Sequence, residues 1–66
     1  MQIFVNGEGQ AIDRPTDLSS LLQQLGYSGG TFAVAVNGDF VPRADYPRTE
    51  IKGGDTLDVV APVVGG

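Results

Sequence analysis

Asp17-Leu18-Ser19-Ser20-Leu21-Leu22-Gln23-Gln24-Leu25-Gly26 is the stretch that decides the fold. Its leucines, at 18, 21, 22 and 25, recur at i, i+3, i+4 and i+7, which gathers them on one stripe of a helix. Thr16 or Asp17 caps the start. Gly26 stops the helix, because a left-handed position after the last turn is least costly for glycine, and Tyr27 is then placed to fold back on Leu22. Burying the leucines contributes about 6 to 12 kcal/mol before chain entropy is subtracted, at about 1.5 to 3 kcal/mol each. This helix is the main contributor to the core.

Outward from the helix the pattern turns to strands. Residues 2–5 alternate, with Met1, Ile3 and Val5 on one face and Gln2 and Phe4 on the other. They end at Asn6-Gly7-Glu8-Gly9, and because Asn-Gly tolerates the positive φ angles of a tight turn, residues 10–13 are the expected antiparallel partner. Beyond the helix, a Ser28-Gly29-Gly30 loop leads into Thr31-Phe32-Ala33-Val34-Ala35-Val36. That apolar run is too short for a helix and reads as a central strand. Asn37-Gly38 makes a second turn, and Phe40-Val41 returns until Pro42 removes a backbone donor. Residues 43–50 are irregular or a short helical turn, and Lys52-Gly53-Gly54-Asp55 is another turn. Residues 56–61 form the last strand, alternating Leu57, Val59 and Ala61 against Asp58 and Val60. Val-Asn-Gly occurs twice, at 5–7 and 36–38, but the flanking residues differ, so these are two similar turns rather than a repeat. The expected architecture is α+β, a β-grasp domain over residues 1–61, with a mixed sheet of four to five strands and one main helix packed across one face.

Composition narrows the chemistry. The 66 residues contain no Cys, His or Trp, which removes a disulfide framework, a thiolate nucleophile, a Cys-bound metal and the commonest general base. At this length folding buries only about 60% of the unfolded chain's surface, enough for one modest core and no deep substrate cavity. Four basic residues against eight acidic ones give a formal charge of −4. Arg14, Arg43, Arg48 and Lys52 are scattered singly, so nucleic acid is not an expected partner, and a basic protein surface suits better. No apolar run approaches the roughly 18 residues of a membrane span, and the chain is expected to be cytoplasmic.

Gly7-Glu8-Gly9 joins strands rather than opening a helix, and Lys52 precedes its glycines, so neither makes a phosphate loop. Asp13, Asp17, Asp39, Asp45, Asp55 and Asp58 fall in turns, near the helix start or on the wet face of a strand, and nothing in their spacing converges on a catalytic pair or metal site. The remaining peculiarity is Pro62-Val63-Val64-Gly65-Gly66. Pro62 cannot extend a sheet ladder, so residues 62–66 are expected to form a flexible tail. Its final glycines either fray or present a thin carboxylate to a narrow tunnel. Such a carboxylate resists nucleophiles until it is activated. With no ATP motif here, activation falls to another protein, and with no cysteine a carried sulfur would be held as a thiocarboxylate on Gly66.

The chain resembles the ThiS type of ubiquitin-like sulfur carrier, which belongs to bacterial thiazole synthesis for thiamine. The resemblance rests on Met1-Gln2-Ile3-Phe4-Val5-Asn6-Gly7, the Leu18/Leu21/Leu22/Leu25 helix, Val36-Asn37-Gly38-Asp39-Phe40-Val41-Pro42-Arg43, Gly54-Asp55 and terminal Gly65-Gly66. The opening residues also resemble ubiquitin. Short length and the Val-Asn-Gly-x-x-Val-Pro-Arg stretch favour this type over the small subunit of molybdopterin synthase, a related carrier. A passive β-grasp interaction or modifier module is the alternative outside carrier chemistry. The resemblance implies no bound cofactor and no catalytic side chain. A ThiF-type adenylyltransferase would activate Gly66 with ATP and Mg, a sulfur donor such as a cysteine desulfurase system would convert it to a thiocarboxylate, and a ThiG-type thiazole synthase would take the sulfur. It further implies that Val63, Val64 and Gly65 thread the tail into the partner's active site, and that an apolar sheet face beside the tail meets partners. Phe4 and Val60 are the positions fitting that face, and Arg43 is an ionic contact to a partner or an ordinary exposed arginine.

Overall fold

The computed structural model describes residues 1–27 and 32–60. Seven strands, one α-helix and one 3₁₀ helix follow one another there: β1 (Gln2–Val5), β2 (Glu8–Ala11), β3 (Thr16–Asp17), α1 (Leu18–Gln24), β4 (Ala33–Val36), β5 (Asp39–Val41), the 3₁₀ helix (Arg43–Arg48), β6 (Glu50–Ile51) and β7 (Thr56–Val60). Five of them make a mixed sheet in the order β2-β1-β7-β4-β5, while β3 and β6 pair separately. The fold is the β-grasp expected from the sequence, with α1 lying across one face of the sheet.

The helix forms where the leucine spacing places it, and both its ends are closed. Asp17 is the N-cap: its carboxylate accepts from the Ser20 backbone N–H at 2.9 Å and from the Ser20 hydroxyl at 2.8 Å. The Ser20 hydroxyl, followed by its backbone N–H, holds the Asp17 carboxyl below the usual aspartate range. At the other end Gly26 has φ +93°, the Tyr27 N–H donates to the Leu22 carbonyl at 2.8 Å and the Gly26 N–H to the Gln23 carbonyl at 3.1 Å, a complete Schellman closure. Leu18, Leu21 and Leu22 are buried against Ile3, Val5, Val34, Leu57 and Val59 of the sheet's inner face. Leu25, at the C-cap, is only partly buried.

Both hairpins turn on two residues with positive φ, Asn6 (52°) with Gly7 (84°) and Asn37 (52°) with Gly38 (86°), the backbone of a type I′ turn. So short a turn moves the second strand of the first hairpin to Glu8–Ala11, earlier than the expected 10–13, and Val5 faces Glu8 directly. Two further expectations are corrected. The expected central strand, 31–36, is observed as β4 and flanked on both sides, but the middle of the sheet is β7. Its one-sided alternation concealed that position, because Thr56, Asp58 and Val60 are exposed on the outer face. Met1, expected inward with Ile3 and Val5, is half exposed and rests beside Gly53.

Residues 43–50 resolve into the 3₁₀ helix and the start of β6. Tyr46 is buried there, and the Thr49 hydroxyl donates to the Asp45 carbonyl at 2.7 Å. The β3–β6 pair, which the sequence did not announce, sets Thr16 opposite Ile51, and the Leu18 N–H donates to the Thr49 carbonyl at 2.8 Å. It thereby ties the helix start to the segment beneath it. The Ser28-Gly29-Gly30 loop, Thr31, Ala61 and the expected tail from Pro62 lie outside the described residues.

Leu22→Ala should lower the unfolding free energy by about 2 to 5 kcal/mol, because a buried leucine leaves a cavity when truncated. Phe40→Ala should change it by less than about 0.5 kcal/mol. Urea denaturation of the two variants measures the contrast.

Candidate functional site

The side of the sheet away from α1 is the most distinctive surface of the molecule. Alternation along β1 and β7 sends Ile3, Val5, Leu57 and Val59 inward and leaves Phe4, Thr56, Asp58 and Val60 outward. The β4–β5 register continues this surface: Ala33 is opposite Val60, Ala35 is opposite Asp58, and Phe40 is opposite Ala35. Phe4 is 40% exposed, Val60 65% and Phe40 67%. Large apolar side chains this exposed, grouped on one face, mark a docking surface more often than scattered ones do. Phe4 lies over Gly9, whose lack of a side chain leaves room for its ring and for the Gln2 amide.

Phe4 and Val60 thus share the outer face, one on β1 and one on the neighbouring β7. Phe40 belongs with them and was not singled out from the sequence. Its signal was present: with a two-residue turn at Asn37-Gly38, Ala35 must face Phe40, and Val34 must face Val41 on the inner side. Arg43 stands elsewhere, with its guanidinium 6.0 Å from the centre of the Phe32 ring. Phe32 in turn packs against Tyr46 and Tyr27, at centroid distances of 6.2 and 5.8 Å. Val63, Val64, Gly65 and Gly66 lie outside the described residues. Covalent geometry still bounds their reach, because Gly66 follows Val60 by six residues and can stand at most roughly 22 Å from it.

Three of the carboxylates make polar contacts within the fold, Asp17 in the capping role that its sequence position allowed. Asp17 caps α1, Asp45 pairs with Arg48 at 3.7 Å, and Asp55 is buried at 6% exposure. Asp55 corrects the expectation most sharply. It accepts from the Lys52 backbone N–H at 2.9 Å and from the Asn37 amide at 3.1 Å, and the Lys52 ammonium stands 3.9 Å away. Burial pushes its pKa up more than any other single influence. The Lys52 N–H, the Asn37 amide and the Lys52 charge together outweigh that, so the carboxyl sits below its ordinary value. Its place after two glycines in a turn gave no sign of this, since burial depends on Asn37 arriving from another hairpin.

Two clefts open elsewhere, one of about 220 Å³ between residues 11–16 and Gln24, the other of about 180 Å³ between residues 15–17 and 47–50. Neither is lined by Phe4, Phe40, Asp58 or Val60. Among the described residues, no three carboxylates approach closely enough to hold a metal ion. Among the described residues no helix is long and apolar enough to cross a membrane.

The model of the ThiS family matches residues 3–66. The chain belongs to the ThiS family. Two solved structures of a thiamine biosynthesis protein (ThiS) from Geobacter metallireducens agree with it. The crystal structure gives a TM-score of 0.86 at 26% identity, covering all of both chains. The solution structure gives 0.83 at 26% identity, covering all of this chain and 88% of the other. Thiazole synthase from Paramagnetospirillum magneticum is 32% identical over the 66 residues. The chain spans about a fifth (20%) of that protein's length.

Because the folded Asp55 holds its proton less tightly than an unfolded aspartate, its contribution is complete above the ordinary value of about 3.8 and is lost as pH falls through the lower folded-state value. Asp55→Asn should cost about 1.5 to 3 kcal/mol near neutral pH. The difference between wild type and variant should narrow on acidification. Urea unfolding at a series of pH values reads both effects.

Proposed function

We propose that this ThiS-family chain is a sulfur carrier of thiamine biosynthesis whose reacting atoms are those of the Gly66 carboxylate. The observation that carries the reading is a family match running through Gly65 and Gly66, on a chain without cysteine to carry sulfur otherwise. A carboxylate at neutral pH repels nucleophiles, so it must first become a better acyl donor. A carboxylate oxygen attacks the α-phosphorus of Mg-bound ATP on a ThiF-type adenylyltransferase, and pyrophosphate leaves. The terminal sulfur of a persulfide supplied by a cysteine desulfurase system then attacks the acyl carbon and expels AMP, leaving an acyl disulfide. A thiol reductant attacks the donor's sulfur, forms a disulfide with it and releases Gly66 as a thiocarboxylate, which a thiazole synthase consumes.

In this scheme the β-grasp domain contributes recognition and the tail contributes the acyl group. Gly65, with no side chain, and Val63 and Val64 lead Gly66 into the partner's active site. Phe4, Val60 and Phe40 form the apolar contact, and Arg43 supplies a charge at the edge of the domain. The thiazole synthase from Paramagnetospirillum magneticum supports the assignment of the acceptor, since one chain there includes a segment similar to this one.

Intact mass of the chain incubated with a ThiF-type enzyme, ATP, Mg and a sulfur donor tests the reading. The expected product is heavier by one oxygen-to-sulfur exchange and is alkylated once by a thiol reagent, a clean result because no cysteine competes. Adding one residue after Gly66 should abolish it. Persistence of the unmodified carboxylate in the complete mixture would overturn the reading.

A further inference from the structure

Among the described residues the outer face of the sheet carries one carboxylate, set between Val60 and Thr56 on its own strand and otherwise beside apolar neighbours. Asp58 stands on β7, the middle strand, with Ala35 directly opposite, Phe40 one strand further and Val60 next outward along its own strand. Phe4 projects from β1 on the other side. Where Asp17, Asp45 and Asp55 are engaged by Ser20, Arg48 and Lys52, the exposed Asp58 carboxylate has no hydrogen bond or ion pair among the described residues.

That placement restricts what covers the face. Exposed Phe4, Phe40 and Val60 gain by leaving water, but any partner that buries them also strips water from Asp58. A wholly apolar partner returns nothing for the lost hydration. A partner carrying an arginine or lysine opposite Asp58 replaces it with a charge-assisted contact, so the carboxylate rejects one class of surface and selects the other. It also removes a rotational ambiguity. An apolar patch slides and turns at small cost, whereas one ion pair at its centre fixes the register from which the tail departs.

We infer that the outer face docks a thiazole synthase through an apolar contact centred on an ion pair between Asp58 and an arginine or lysine of that enzyme. This rests on the sulfur-carrier reading. Thiazole synthase is the occupant because a segment similar to this chain shares one polypeptide with the rest of such an enzyme in the Paramagnetospirillum protein. Linkage of that kind holds two surfaces at high effective concentration. When the carrier and the enzyme are separate chains, the encounter must be found by diffusion. A net charge of −4 then favours a basic docking surface at long range.

The test measures binding of the unmodified full chain to purified thiazole synthase by calorimetry at low and high salt. Asp58→Asn should weaken binding about tenfold and Asp58→Lys about a hundredfold, with a shallower salt dependence for Asp58→Asn. Asp58→Glu should bind within a few fold of wild type, and all three variants should melt as wild type does. Wild-type affinity and salt dependence in both Asp58→Asn and Asp58→Lys, with binding lost in Phe40→Asp, would overturn the ion pair. Sensitivity confined to the adenylating enzyme would overturn the choice of occupant. Because the binding assay needs no sulfur, failure of the carrier reading shows separately, as a thiocarboxylate that never forms.

Discussion

The structure depends on how β7 is held between two hairpins that have no other common partner in the sheet. β1 lies parallel to it on one side and β4 antiparallel on the other. Parallel pairing with β1 spans most of the chain and cannot be made by a local turn. The turn asparagines secure it. Asn6 donates its N–H to the Leu57 carbonyl at 2.8 Å and accepts from the Val59 N–H, also at 2.8 Å, through its side-chain oxygen. Asn37 does the same from the opposite side, donating to the Thr56 carbonyl at 2.7 Å and accepting from the Thr56 N–H at 3.0 Å. Each asparagine therefore serves twice, once for its tolerance of positive φ and once as a side-chain extension of the ladder.

This arrangement connects the fold to the outer face of the sheet. Leu57 and Val59 complete the inner face under the leucines of α1, and the same alternation obliges Asp58 and Val60 to face outward. The outer face is therefore a by-product of fixing the core. Asp55 stiffens the approach to β7, since it receives the Asn37 amide while its own carbonyl accepts from the Phe4 N–H at 3.0 Å. A strand anchored at its start and flanked on both sides gives a firm base to whatever follows Val60. A carrier needs that property, because its acyl group must arrive at another protein's active site in a set orientation.

Much of the fold was legible from short-range pattern. The leucines at 18, 21, 22 and 25, the Gly26 stop and both Asn-Gly turns are local statements, each involving residues that contact one another within a few positions. What escaped reading involved distant partners. β3 and β6 are two residues each, below the length at which alternation can be recognised, and exist because Thr16 meets Ile51. Asp55 looked like a solvated turn aspartate until Asn37 arrived beside it. Of the outer face, Phe4 and Val60 followed from alternation, whereas Phe40 required the register across the second turn.

The sequence by itself determined the helix and its ends, the hairpin turns and the longer strands, because each follows from backbone preference or side-chain periodicity over a few residues. Only the tertiary structure decided that β7 is the middle strand, that Asp55 is a buried anchor and that Asp58 stands beside Ala35 with Phe40 one strand further. Those outcomes depend on which strands become neighbours. That choice is made by the combined burial of residues far apart in the chain, which no local pattern encodes.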